Sequence, residues 1–252
     1  ECAICEGYSF SLKRSCMMPQ ELKKAVVLHS GGLDSTTVLA IAAREGFEPC
    51  AMTFIYGQRH IRELEAARSI AIHMKIRHRI EVDVTPGIFT GSALTGDREI
   101  PLNRSEKEIG DGIPATYVPA RNLIFLSYAV AWAESLGSHD IFIGVNAIDY
   151  SGYPDCRPEF IKAFEKAANL ATKEGAEGRR ISLHAPLISM SKAEIIRAGV
   201  SLGVDYSLTH SCYDPSPEGI ACGACDSCLL RIKGFREAGL ADPITYLKRS
   251  EQ

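Results

Sequence analysis

A serine- and glycine-rich segment near the N-terminus carries the residue types that bind a phosphate group. The segment Ser30-Gly31-Gly32-Leu33-Asp34-Ser35 separates an apolar run at 25–28 from a helical pattern that ends at Gly46. Adjacent glycines let the backbone curl around an anion, and the following helix directs unpaired N–H groups and its positive dipole end to the same point. The pattern predicts a strand, a phosphate-binding turn and a helix, with further hydroxyl donors from Ser30, Ser35, Thr36 and Thr37.

The two commonest phosphate-binding patterns, GxxxxGK[ST] and GxGxxG, do not occur in the sequence, and the glycine-rich segment contains no lysine. The hexapeptide SGGLDS resembles instead the PP-loop of the ATP pyrophosphatases, which include GMP synthetase and NAD synthetase and cleave ATP between its α and β phosphates. An ordinary glycine turn between a strand and a helix is the alternative, because such turns are common in α/β proteins.

Four cysteines near the C-terminus, Cys212, Cys222, Cys225 and Cys228, have the density of a metal site. Four thiolates complete the tetrahedral coordination of Zn²⁺, so we predict one structural zinc with no open position for a substrate. An iron–sulfur cluster is the alternative, because the last three cysteines match the first three ligands of a bacterial ferredoxin, although the fourth, Cys-Pro, ligand is missing. Reduced cysteines without a metal are a third possibility.

Composition is that of an ordinary soluble globular protein. The 252 residues carry a net charge of −3, which supplies no basic stripe for a stable nucleic-acid partner and favours a small-molecule substrate. No apolar run approaches the roughly 20 residues that span a membrane, and the N-terminus lacks the apolar core of a secretory signal. We therefore expect a cytoplasmic protein without a membrane partner, in which cysteines stay reduced.

Apolar periodicity supplies the elements that position these residues. Five predicted strands alternate with helices, which predicts an α/β fold with a parallel, doubly wound, five-stranded sheet. Ligands bind at the carboxyl ends of the strands in such sheets, so SGGLDS, residues 56–59 and the segment after Val145 should share one rim. The predicted strands are 25–28, 50–56, 79–84, 140–145 and 181–185, and the predicted domains are an irregular extension at 1–16, the α/β domain at 17–205 and a zinc module with a helix at 206–252.

The stretch from Thr85 to about Tyr117 has no convincing period and is punctuated by glycine and proline. Such a length is unusual inside a compact domain, so the stretch is a candidate lid or binding loop. A disordered segment is the alternative.

Six motifs in order, SGGLDS, YGQRH, VPARN, SGYPDCRPEF, SKAEI and the four cysteines, resemble the 7-cyano-7-deazaguanine synthase family, QueC, from about residue 24 to the C-terminus. The resemblance implies ATP-dependent conversion of 7-carboxy-7-deazaguanine and ammonia into the nitrile in queuosine biosynthesis. It also implies zinc at the four cysteines, Mg²⁺ with ATP and a homodimer. The nucleotide-binding residues implied are His29, Ser30, Gly31, Gly32, Leu33, Asp34, Ser35, Thr36, Thr37, Val38 and Leu39.

A carboxylate is a poor electrophile and must be activated before ammonia can displace a leaving group; a PP-loop favours an adenylate. Asp34 is a candidate to orient Mg²⁺ or the helix turn, and Lys192 and Arg121 are candidates to neutralise charge on the pyrophosphate. Ser30 and Ser35 complete the candidate catalytic set. Solvated surface charges are the alternative for both cations, and Lys192 also lies in a capping box, Ser191 to Glu194, that opens a helix.

The segment 149–157 offers aromatic faces and carboxylates, which a purine-like ring needs for stacking and for its N–H groups. Arginine can pair with the substrate carboxylate in a two-pronged contact. Cys156 is a less favoured candidate nucleophile, because a lone cysteine is more often a packed thiol. The predicted substrate-binding residues are Arg121, Asn122, Asp149, Tyr150, Tyr153, Asp155 and Arg157.

Two other functions compete with the synthase. A PP-loop enzyme that thiolates tRNA would carry sulfur as a persulfide on a cysteine and would need a large RNA-binding face. A zinc-bearing nucleotide-binding protein would bind ATP without turning it over. The reaction products distinguish the three possibilities.

Overall fold

The computed structural model describes residues 22–58, 62–109, 111–148 and 152–247, and the predicted extension at 1–16 lies outside them. Five strands form one parallel sheet in the order β3-β2-β1-β4-β5, which confirms the predicted fold class. The strands are β1 Lys23–Leu28, β2 Phe47–Ile55, β3 His78–Asp83, β4 Asp140–Phe142 and β5 Ser182–His184. The helices are α1 Leu33–Arg44, α2 Arg62–His73, α3 Glu106–Ile109, α4 Arg121–Leu136, α5 Pro158–Ala171, α6 Lys173–Ala176, α7 Lys192–Ser201 and α8 Asp226–Ala238.

Side chains from β1 alternate between two apolar cores, one on each face of the sheet. Val26 packs with residues of α4 and α5, whereas Val27 packs with residues of α1, α2, α7 and α8. Both faces of the strand are therefore covered, which explains why residues 25–28 of β1 are continuously apolar rather than alternating. None of the described helices is both long enough and apolar enough to cross a membrane.

The strand order reverses between β1 and β4, so the carboxyl ends of these two strands form the crevice where ligands of such sheets bind. The segment SGGLDS follows β1 at this point. Gly144 follows β4, and a Cβ at this position would lie 3.2 Å from the backbone nitrogen of Ser35. The glycine therefore permits the close approach of the two segments.

The last two strands are shorter than predicted: β4 ends at Phe142 rather than Val145, and β5 spans 182–184 rather than 181–185. The end of β4 coincides with the crevice. Beyond β4 the chain makes one more sheet-like bond, from Ile143 N–H to the carbonyl of His184, and then lines the cavity with residues 143–146.

The segment after β3 is packed where it is described, which contradicts the disordered alternative. Phe89 and Ala93 are buried in the core, and the N–H of Ala93 donates to the carbonyl of Ala115. Farther along, Leu102 pairs with Cys225 in an isolated bridge, and the N–H of Asn103 donates to the carbonyl of Ala224. The segment is therefore joined to the cysteine-rich region.

The chain beyond residue 205 packs against the α/β sheet domain through both cores. The four cysteines lie in the same core as Val26, and Phe235 of α8 lies in the core that contains Val27. Helix α8 lies against α7, where a side chain at Gly234 would overlap Lys192. The cysteine-rich region is therefore placed directly beside the elements that form the crevice.

Candidate active site

The turn after β1 has the geometry of an anion-binding loop. Gly31 has a φ of +86°, and a Cβ there would collide with the backbone of α2 at Glu63 and Ala67. Gly32 is the N-cap of α1 and offers no side-chain acceptor to the first N–H groups of the helix. An anion in the crevice can therefore accept hydrogen bonds from N–H groups of this turn.

Hydroxyl groups organise the same turn. Ser30 and Ser35 place their Oγ atoms 3.1 Å apart, and the N–H of Ser30 donates to Oγ of Ser35. From the C-terminal region, Oγ of Ser211 accepts a hydrogen bond from the N–H of Leu33 at 3.3 Å, and the N–H of His210 donates to the carbonyl of Gly31. The residues just before Cys212 thus hold the loop in place.

A cavity of about 230 Å³ opens beside this loop. Of the eleven nucleotide-binding residues that the resemblance implies, those that line it are His29, Ser30, Gly32, Leu33, Asp34 and Ser35. The hydroxyl of Thr36 donates to the carbonyl of Gly32, and that of Thr37 donates to the carbonyl of Leu33 and bonds the hydroxyl of Tyr206. Val38 and Leu39 are packed in the core, so the second half of the segment supports the loop from behind.

Asp34, which is partly buried, and Lys192, which is buried, form an ion pair in the lining of this cavity. The ammonium of Lys192 donates to both carboxylate oxygens of Asp34 at 2.8 Å. Only 8% of the lysine side chain is exposed, which contradicts the alternative of a solvated surface charge. The capping box at Ser191 and Glu194 is present, and it fixes the N-terminus of α7, on which Lys192 is the first residue.

Arg121, the first residue of α4, also lines this cavity. Its Nη1 donates to the hydroxyl of Tyr56 at 3.1 Å, and its guanidinium carbon lies 5.7 Å from the centre of that ring. Burial raises the pKa of Tyr56, so the tyrosine stays neutral. Arg121 is partly buried and lines the cavity, so it is not a solvated surface charge either.

The predicted substrate-binding residues do not all line the cavity. Tyr153 and Asn122 line the cavity, whereas Asp155 is buried behind Asn122 and its Oδ2 accepts the backbone N–H of that residue at 2.9 Å. In the described part of the chain, Oδ1 of Asp155 has no hydrogen-bond partner. Arg157 is exposed at the start of α5 and does not line the cavity, and Asp149 and Tyr150 lie outside the described residues.

Cys156 also lines the cavity but has the character of a packed thiol. The side-chain amide of Asn122 donates to its Sγ at 3.4 Å. Burial, reinforced by the negative charge of Asp155, raises its pKa to about 12. A thiol with this pKa is almost entirely protonated at neutral pH, and the protonated thiol is a poor nucleophile.

The structure adds a residue that the sequence reasoning missed. Glu63, in the first turn of α2, lines the cavity, and burial raises its pKa to about 7, an effect that the charge of Arg121 partly offsets. Glu63 lies only seven residues after Tyr56 of the predicted rim, which could have indicated a position near the site. The helical pattern of α2, however, does not distinguish Glu63 from an acid that faces solvent.

The four C-terminal cysteines form a buried group that could hold a metal ion. Their sulfur atoms all lie within 4.8 Å of one another, and Cys222 and Cys228 have their sulfurs 3.9 Å apart. Tetrahedral zinc with bonds of about 2.3 Å requires sulfurs about 3.8 Å apart, so the spacing fits. Backbone N–H groups of Ala224 and Cys225 donate to the sulfur of Cys222, an arrangement that stabilises a thiolate.

Comparison with known proteins identifies close relatives. A family model described as queuosine biosynthesis protein QueC matches residues 24–239. The 7-cyano-7-deazaguanine synthase of Geotalea daltonii is 62% identical over 231 residues, which cover 91% of this chain and 99% of that protein. The synthase of Solidesulfovibrio magneticus is 63% identical, over 89% of this chain and 96% of that protein. Among solved structures, NMN synthetase from Francisella tularensis aligns at a TM-score of 0.47 and 16% identity, over 79% of this chain and 68% of that one.

Proposed function

The chain belongs to the QueC family of queuosine biosynthesis proteins, and from this premise we propose that it converts 7-carboxy-7-deazaguanine and ammonia into 7-cyano-7-deazaguanine with ATP. The observation that carries the proposal is the cavity itself. It brings the SGGLDS loop, the Asp34–Lys192 pair and Arg121 together with the aromatic side chain of Tyr153. A nucleotide phosphate and a flat, negatively charged ring can therefore meet in one place.

The first half of the reaction activates the acid. A carboxylate oxygen of the substrate attacks the α phosphorus of ATP, the bond to the β phosphate breaks and pyrophosphate leaves. The loop N–H groups, the hydroxyls of Ser30 and Ser35 and the ammonium of Lys192 stabilise the charge that develops on the phosphates. Ammonia then attacks the acyl carbon, and AMP departs to leave the amide.

The second half repeats the activation on the amide. The amide oxygen attacks the α phosphorus of a second ATP, and elimination of AMP with loss of the remaining N–H protons forms the carbon–nitrogen triple bond. One loop serves both halves, because the leaving group and the ring are the same in each. Mg²⁺ bound with ATP would neutralise phosphate charge, and Asp34 is the carboxylate of the loop that would hold it.

The substrate ring would lie against Tyr153, with Asn122 at its edge and Asp155 in support. Arg121 would pair with the substrate carboxylate, and its position in the cavity lining at the start of α4 supports this role. The unpartnered Oδ1 of Asp155 supports a role in accepting a ring N–H after a small adjustment of Asn122. Asp149 and Tyr150 are proposed from the family resemblance alone.

We propose zinc as the ion of the four-cysteine group. Four protein sulfurs at tetrahedral spacing leave no position for a substrate, so the ion would be structural. The metal site is connected to the phosphate-binding loop through Ser211, which precedes the first cysteine and whose hydroxyl oxygen accepts a hydrogen bond from the N–H of Leu33. The zinc module at 206–252, the homodimer and the cytoplasmic setting are further proposals that the resemblance supports.

Product analysis tests the function. The purified protein is incubated with ATP, Mg²⁺, ammonia and 7-carboxy-7-deazaguanine, and the products are identified by mass spectrometry. The proposal expects the nitrile, AMP and pyrophosphate. Thiolated tRNA from a parallel incubation with a sulfur donor, or ATP binding without AMP release, would establish one of the competing functions. The high pKa of Cys156 already disfavours that cysteine as a persulfide carrier.

A further inference from the structure

We propose that Glu63 is the general base of the reaction and accepts the protons that the attacking nitrogen loses. This inference rests on the proposed function and adds a residue to it. Glu63 belongs to the first turn of α2, and its backbone carbonyl lies directly against Gly31 of the phosphate-binding loop. Its side chain faces the same cavity as Asp34 and Arg121.

The cavity offers few groups that can exchange a proton. Among the described residues that line it, Asp34 and Glu63 are the only carboxylates. Asp34 accepts two hydrogen bonds from Lys192 and, in the proposed function, would also hold Mg²⁺, so its carboxylate is engaged by cations. The carboxyl of Glu63 makes no hydrogen bond to the described residues; burial raises its pKa, and the charge of Arg121 partly offsets that effect. It is therefore the acid–base group that a bound reactant can engage.

The other titratable groups of the cavity are poorly matched to this task. Burial lowers the pKa of His29 to about 4, and burial raises the pKa of Cys156 to about 12. The guanidinium of Arg231 is held by Asp242 and by the hydroxyl of Thr209. A general base works best when its pKa lies near the working pH, and a value of about 7 places Glu63 there.

In both steps the reacting nitrogen loses protons, and Glu63 accepts them. In amide formation, the lone pair of ammonia forms the C–N bond, the bond between carbon and the AMP oxygen breaks, and AMP leaves with that electron pair. One proton passes from nitrogen to the Glu63 carboxylate and then to solvent. In nitrile formation, attack of the amide oxygen on ATP leaves two protons on nitrogen. Glu63 accepts the first proton, passes it to solvent and then accepts the second. The freed electron pair completes the triple bond as the bond between carbon and the AMP oxygen breaks, and AMP departs with that electron pair.

The variant Glu63→Gln separates this role from nucleotide binding. Adenylation is measured as exchange of labelled pyrophosphate into ATP with the acid present and ammonia absent, and amide formation is measured with ammonia. The glutamine keeps the shape and should leave exchange within about twofold of the wild type, while amide formation should fall about 100-fold. Glu65→Gln, an exposed carboxylate two residues away on α2, is the matched control and should change neither rate.

The pH profile gives a readout that a structural role would not move. With the concentration of free ammonia held constant, the wild-type rate of amide formation should rise with pH and level off above about 7, and Glu63→Gln should lose this rise. Equal loss of exchange and amide formation would assign Glu63 to nucleotide positioning and overturn the proposal, as would an unchanged rate of amide formation.

If Glu63→Gln does not fold, a second variant and a measurement on the wild type test the same role. Glu63→Asp retains a carboxyl group and should keep the pH-dependent rise at a lower rate. In the wild-type protein, the rate of amide formation should rise with pH, whereas the rate of pyrophosphate exchange should not. An amide-formation rate that does not rise with pH would overturn the proposal. Failure of the proposed function is distinct, because the wild type would then form no amide or nitrile at any pH.

Discussion

The ammonium of Lys192 lies 2.8 Å from both carboxylate oxygens of Asp34, although the two residues are 158 positions apart in the chain. Asp34 belongs to the first turn of α1, and Lys192 begins α7. The pair thus joins the phosphate-binding loop to the other side of the crevice. It also keeps a cation next to the point where the loop would hold a phosphate, without leaving that cation unpaired before the nucleotide arrives.

Lys192→Met should lower both stability and adenylation. Removing the ammonium leaves the Asp34 carboxylate partly buried without its partner, at a cost of about 2 kcal/mol, below the usual range for a fully buried pair because 18% of Asp34 is exposed. The double variant Asp34→Asn/Lys192→Met should recover most of that stability in urea unfolding but no pyrophosphate exchange. Recovery of exchange in the double variant would show that the pair is only structural.

Gly31→Ala should abolish ATP binding. The residue has a φ of +86°, and the added Cβ would meet the backbone of α2, which cannot yield as a flexible side chain can. Gly46→Ala is the matched control, since Gly46 has a φ of +89° but open space around its Cβ position and should lose only about 1 kcal/mol. Calorimetric titration with ATP checks both. Wild-type affinity in Gly31→Ala would contradict the loop assignment.

The cysteine group should contain one zinc ion per chain and no colour, because Zn²⁺ has a filled d shell. Cys225→Ser should lose the metal and lower the melting temperature, and it should also weaken ATP binding, because Ser211 and Cys212 connect the site to the loop. Cys50→Ser, at a buried cysteine outside the group, should keep the zinc. Iron with labile sulfide in elemental analysis would contradict the zinc proposal.

Glu63→Gln should change the pH dependence of stability in a definite direction. Burial raises the folded-state pKa of Glu63 from 4.5 to about 7, so the wild type loses stability as pH rises from about 4.5 and the loss is complete above about 7. The neutral glutamine has no such loss. The stability advantage of the variant over the wild type in urea should therefore grow between pH 5 and pH 8. An advantage that does not change with pH would show that Glu63 is not buried as an acid.

The sequence was sufficient to predict what depends on local pattern. The strand, turn and helix around Gly31, the alternation of strands and helices, and the clustering of four cysteines each leave a short-range signal. Contacts between residues that are distant in the chain leave no such short-range signal. No sequence spacing predicts the contact of Lys192 with Asp34 or distinguishes Glu63 from its exposed neighbour Glu65. For the same reason Asp155 and Arg157, two residues apart, were predicted alike, yet the turn at 154–156 buries the first and exposes the second.

If one loop performs two successive adenylations, the ratio of AMP to nitrile must be two. The purified protein is supplied with limiting 7-carboxy-7-deazaguanine, excess ATP, Mg²⁺ and ammonia, and both products are quantified after complete conversion. A parallel reaction starts from the amide without ammonia. We expect two AMP per nitrile from the acid and one AMP per nitrile from the amide. One AMP per nitrile from the acid, ADP as the nucleotide product, or an amide that is not converted would contradict this mechanism.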